Sequence, residues 1–192
     1  VFVLTTLRPG SETERDGKIR AFVLFWISQN IILVISSIWR TTLYIEEYSL
    51  TYLRVAALIW MALVAMGLLF ILIRIFMRRN NGWLLQVNTG AAFITLYICC
   101  FMNFADLIAR YNVAHSYELT GRGNKLDSYY LGQLGPDALP ALDAFIQAGG
   151  KFSQKGPYDH QSAGLRTVFI NKINKDWRNW RARTFRLYRL KS

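Results

Sequence analysis

Three stretches without a charged side chain constrain this chain more than anything else in it. Ala21 to Trp39 and Val55 to Ile73 are nineteen residues each, and Asn80 to Ala105 is twenty-six. A bilayer core of about 30 Å needs about 20 helical residues at about 1.5 Å each, so each run is long enough to cross. The third opens polar with Asn80, Asn81 and Gly82, which places its crossing part at Leu84 to Phe104. Trp39, Tyr44, Tyr52 and Trp83 stand at the ends of the runs, where amphipathic rings prefer to sit. The pattern predicts an all-α integral membrane protein: three transmembrane helices plus a helical basic C-terminal tail. Residues 1–20 form an N-terminal segment, 21–105 the membrane region with an interfacial loop at 40–54, and 106–192 the tail outside the membrane.

Composition narrows the chemistry. Hydrophobic residues make up 53% of the 192, which excludes disorder. The two cysteines are adjacent, Cys99 and Cys100, so no disulfide framework exists, and both read as small buried apolar residues of the third span. His115 and His160 are the only histidines, too few for a multi-histidine metal or haem site. No span contains Lys, Arg, Asp, Glu or His, which argues against a pump or channel built from these helices alone. No nucleophile elbow, zinc-helix, Cys-x-x-Cys or phosphate-loop motif is present, and no cofactor or metal is expected.

Polar residues inside the first span, Ser28, Gln29, Asn30, Ser36 and Ser37, are expected on a face packed against the other spans, and Gly90, Ala91 and Ala92 allow close helix approach in the third. Leu43, Glu46, Glu47 and Leu50 suit a short interfacial helix in the 40–54 loop. The third helix is expected to run on through Asp106 to Ser116, with Asp106 and Arg110 paired one turn apart. Leu126 to Leu134 and Leu139 to Ile146 read as a helical hairpin, opened in its second arm by Pro136 and closed by Gly149 and Gly150. A lone hairpin cannot bury its own apolar face.

The net charge of +11 belongs mostly to the end of the chain. Nine of the 23 Lys and Arg residues fall between Arg166 and Lys191, against the single acid Asp176. Phe169, Ile173, Trp177, Trp180, Thr184 and Leu187 follow one helical stripe there, with basic residues opposite. That helix can pack on the tail, lie on an anionic membrane, or dock on an acidic protein partner. Its contact residues for lipid or partner are Trp177, Arg178, Trp180, Arg181, Arg186 and Arg189. Nucleic acid is not an expected partner.

Arg8, Arg15, Lys18, Arg20, Arg74, Arg78 and Arg79 flank the spans on one side, against Arg40, Arg54 and Arg110 on the other. The positive-inside rule makes the first side cytoplasmic and sends the tail to the periplasm.

Arg8 to Glu12, Ile19 to Ile75, Leu96 to Val113, Leu126 to Leu142 and Asp176 to Leu190, above all Tyr48 to Arg54 (YSLTYLR) and Gly135 to Leu142 (GPDALPAL), carry a resemblance. The chain resembles the C-terminal part of bacterial polytopic inner-membrane proteins grouped as a domain of unknown function. The resemblance implies further hydrophobic helices upstream, so that this chain is a C-terminal fragment or a shortened relative, and it supplies no activity or catalytic residue. The expected role is a non-catalytic accessory or scaffold subunit of a larger bacterial membrane complex, respiratory or photosynthetic, contacting lipids and other integral membrane subunits. Two alternatives stay open: a sensor or regulator whose tail binds a ligand, and a membrane enzyme using Glu46, Glu47, Asp106, Asn112 and His115, the clustered candidates.

Overall fold

A computed structural model describes residues 17–77, 79–152, 162–179 and Leu190. Among the described residues, 85% are helical and none lies in a strand. Its helices are α1 (Gly17–Tyr48), α2 (Tyr52–Met77), α3 (Asn81–Phe101), α4 (Phe104–Ala114), α5 (Tyr117–Thr120), α6 (Ser128–Leu134), a 3-10 turn (Pro136–Ala138), α7 (Leu139–Gln147) and α8 (Ser162–Arg178). α1, α2 and α3 are long and apolar enough to cross a membrane. The chain divides into two compact units, residues 1–42 with 55–102, and residues 43–54 with 103–192.

In the first unit α1 meets α2 through Ile19, Val23, Ile27 and Ile31, spaced one turn apart, against Leu68, Ile71, Leu72 and Ile75. In lipid such contacts gain little from the hydrophobic effect, so interlocking shape holds the pair. The polar residues of α1 are not in this seam. Ser28, Gln29, Ser36 and Ser37 are exposed and Asn30 is half-buried, contrary to the expectation that they face the other spans. Part of the reason is local. Ser28, Asn30 and Ser37 donate to the carbonyls of Leu24, Trp26 and Leu33 at 2.9, 2.7 and 2.8 Å, so their own helix satisfies them.

Close approach occurs elsewhere than at Gly90, around which a Cβ would meet nothing within 4 Å. It occurs at Gly67 of α2, where a Cβ would stand 3.2 Å from Asn88 Oδ1 of α3. Cys99 is half-buried and Cys100 exposed, so neither is the core residue expected. Arg74, which the charge pattern places at the end of a span, lies inside α2 and is 2% exposed.

The second unit has an aqueous-type core. α1 does not stop for a separate interfacial helix: it runs on to Tyr48, and Ser49, at φ 66°, turns the chain into α2. α3 likewise does not continue into Asp106. It ends at Phe101, and Asn103 starts α4 by accepting the Asp106 N–H at 3.3 Å, an N-cap that Asn supplies well. The Asp106–Arg110 pair forms as expected, at 2.8 Å. α4 buries Ala105, Ile108, Ala109 and Val113. Against them lie Leu131 and Leu134 of α6 and Leu139, Ala141, Leu142 and Phe145 of α7.

The hairpin of α6 and α7 is therefore not alone: α4 covers it, and α8 adds Leu165, Phe169 and Ile173 at successive turns. Within α6, Leu131 is buried and Tyr129 is 51% exposed. Gly149, at φ 78°, ends α7, and the Phe145 ring occupies the space a Gly150 side chain would need. α8 thus uses the front of its apolar stripe for packing. Trp177 is half-buried and Arg178 exposed, while Trp180, Arg181, Thr184, Arg186, Leu187 and Arg189 lie outside the described residues.

Candidate functional site

The second unit carries two adjoining clefts, and a carboxamide stands between them. Asn112, on the buried face of α4, is 7% exposed. Its Oδ1 accepts the Leu50 N–H at 2.7 Å and its Nδ2 donates to the Leu50 carbonyl at 2.9 Å, as a neighbouring strand would. Leu50 is itself buried. Arg54 secures the same turn by donating from Nη1 to the carbonyls of Tyr48 at 2.7 Å and of Ser49. The Tyr130 hydroxyl accepts the Tyr52 N–H at 3.1 Å.

The opposite wall is the loop from Ser116 to Asp127. Thr120 Oγ1 lies 2.8 and 2.7 Å from the carbonyls of Ser116 and Arg122, either of which can take its single proton, and accepts the Arg122 N–H at 3.2 Å. Tyr117 N–H donates to the Asn124 carbonyl at 2.8 Å, and the Glu118 carboxylate accepts the Leu126 N–H at 2.9 Å. Gly123 is required here: it sits at φ 81°, and a Cβ on it would approach the His115 carbonyl to 2.8 Å. Asp127 Oδ1 caps α6 by accepting from Tyr129 and Tyr130 at 2.8 and 3.1 Å. A loop so cross-braced holds its cleft-facing groups in place.

The larger cleft, about 560 Å³, is lined by the 48–51 turn, Tyr117, the 123–127 segment and Tyr130. The smaller, about 310 Å³, is lined by Glu46, Tyr111, His115, Thr120 and Arg122. Ser49, Asn112, Gly123 and Asn124 belong to both.

Of the five clustered candidates, the structure brings together Glu46, Asn112 and His115. Asn112 is committed to Leu50. His115 Nδ1 lies 2.9 Å from the Tyr111 carbonyl, with its ring stacked on Tyr111 at 4.2 Å. Glu47 is exposed and lines neither cleft, and Asp106 lies in a separate groove with Arg110, Asp137 and Pro140. Among the described residues no three His, Cys, Asp or Glu side chains form a metal-holding group. Sequence reading missed Tyr117, Arg122, Asn124, Lys125 and Tyr130. Nothing in the run Thr120 to Asn124 (TGRGN) marks it as a wall until its partner across the cleft is known.

Comparison with curated proteins returned no match, and comparison with solved structures returned none. The family model described as a domain of unknown function, DUF4153, matches residues 1–145. That match covers α1 to α4, both cleft walls, and most of α7. The chain belongs to the DUF4153 family of domains of unknown function.

Proposed function

We propose that this chain is a non-catalytic accessory or scaffold subunit of a larger bacterial membrane complex. In this reading it sits in the inner membrane, with the segment before α1 and the α2–α3 link in the cytoplasm and the second unit in the periplasm. The observation that carries the reading is the outer face of α1. Gln29 and Ser36, two turns apart, share one side of the helix, and Gln29 is about 200° round from the buried Ile27. A carboxamide facing hydrocarbon is costly unless another helix supplies a donor and acceptor, and such bonds are worth about 0.6–2 kcal/mol. The partner is therefore a membrane-spanning helix that offers a polar side chain at that depth.

The full chain, extracted in mild detergent and weighed by native mass spectrometry, should carry membrane subunits in fixed stoichiometry. Gln29→Leu with Ser36→Ala should release them while leaving helicity unchanged. A monodisperse wild-type monomer would sink the scaffold reading. A sensor or regulator is the second reading, favoured by the two clefts. The enzyme reading gains least support, because two of the three candidates that meet, Asn112 and His115, are tied to backbone groups.

A further inference from the structure

The clefts of the second unit hold both signs of charge and an exposed aromatic face. Lys125 and Asp127 line the larger cleft, and Glu46 and Arg122 the smaller, so the two acids and two bases cancel. A purely anionic or cationic ligand would meet as much repulsion as attraction. A ligand that carries one charge of each sign fits both. Tyr117 lines the larger cleft and is 50% exposed, with a ring face that attracts an ammonium. Arg54 already stands 5.8 Å over the Tyr48 ring on the cleft rim, so this lining accepts cations on phenol faces.

Location supplies the rest. Thr51 lines the larger cleft, and only four residues later Val55 begins the apolar run of α2. Tyr44, Tyr48 and Tyr52 are all about half exposed there, the aromatic level that marks a membrane surface. In a bilayer, the charged groups at the level of such an aromatic belt are lipid headgroups.

We propose that the paired clefts bind the headgroup of a zwitterionic phospholipid with a primary ammonium, of the phosphatidylethanolamine type. Lys125 and Arg122 take its phosphate; Glu46, Asp127 and the face of Tyr117 take its ammonium. Asp127 contributes although its Oδ1 caps α6, since a carboxylate has lone pairs beyond those two bonds. The braced 116–127 loop and the Asn112 clamp keep the site formed without ligand. This proposal stands apart from the scaffold reading: a headgroup site can exist with or without partner subunits.

The test uses the full chain, delipidated in detergent and titrated with phosphatidylethanolamine or with phosphatidylglycerol of the same tails, read by native mass spectrometry. The expected result is about tenfold tighter retention of phosphatidylethanolamine. Lys125→Glu and Glu46→Lys, both at exposed positions, should each abolish that preference. Hydrogen exchange on the unsubstituted chain gives a second measurement that needs no variant: the amides of 116–127 should slow with phosphatidylethanolamine and not with phosphatidylglycerol. Equal retention of the two lipids, or a loop whose exchange ignores both, overturns the proposal. Soluble glycerophosphoethanolamine binding as tightly as the lipid overturns the lipid assignment in favour of a free metabolite.

Discussion

Asn112 holds both backbone groups of Leu50, a residue 62 positions earlier in the chain. One side chain thereby satisfies a buried donor and a buried acceptor that have no helix or sheet to serve them. Two segments that meet must lie on one side of any membrane the chain crosses, and α2 and α3, the two helices between them, are each long and apolar enough to cross one.

Removing the carboxamide should be expensive. Asn112→Ala leaves the Leu50 N–H and carbonyl buried and unpaired, a loss of about 2–4 kcal/mol. Asn112→Asp removes the donor to the carbonyl while keeping an acceptor, and should cost less than alanine in a melt of the detergent-solubilised chain. If alanine leaves the melting temperature where it was, the clamp is not a support of the fold.

Gly121 and Gly123 make an internal comparison. Both have positive φ, 69° and 81°, so alanine at either pays roughly 1–2 kcal/mol of backbone strain. At 121 a Cβ meets nothing within 4 Å, whereas at 123 it drives into the His115 carbonyl. Gly123→Ala should therefore be the worse of the two and should raise hydrogen exchange across 116–127. Equal effects would mean that the backbone near His115 yields freely.

Neighbouring residues of α8 should differ sharply. Phe169 is 2% exposed and Val168 is 44% exposed. Phe169→Ala should destabilise the second unit by about 3–5 kcal/mol through the cavity it leaves, and Val168→Ala by under about 0.5 kcal/mol. Two small and similar losses would show that α8 is not packed on the 3-10 turn and α7.

The ion pairs should matter little. Arg166–Asp143 at 2.6 Å joins α8 to α7, yet its side chains keep 46% and 32% of their exposure. Solvent screening limits such a pair to about 0–1 kcal/mol. Asp143→Asn should lower the melting temperature slightly at low salt and not at all in high salt; a large loss that persists in salt would contradict this.

The spans could be read from the sequence because crossing a membrane is a local demand: about twenty apolar residues in a row satisfy it wherever they fall. The helical hairpin was legible for the same reason, in Pro136, Gly149 and an apolar period. What escaped were relations between distant residues. Gly67 meets Asn88 across two helices, so the cluster of small residues at 90–92 drew attention to the wrong contact. The α3 boundary turned on Asn103, whose capping role competes with the uncharged run that hides it. Glu46, Asn112 and His115 were grouped from the sequence as chemistry, yet the amide proved to be backbone support, and Lys125 and Arg122 stood beside them unnoticed.

The second unit is assembled from two separated lengths of chain, with the α2–α3 hairpin inserted between them. A ribosome delivers Leu50 long before Asn112. The unit cannot close when its first segment emerges; it can close only after α2 and α3 have been made and the chain has come back. In a membrane, a chain in which only one of α2 and α3 crossed would strand Leu50 and Asn112 on opposite sides, so the clamp between them forms only where both helices cross or neither does.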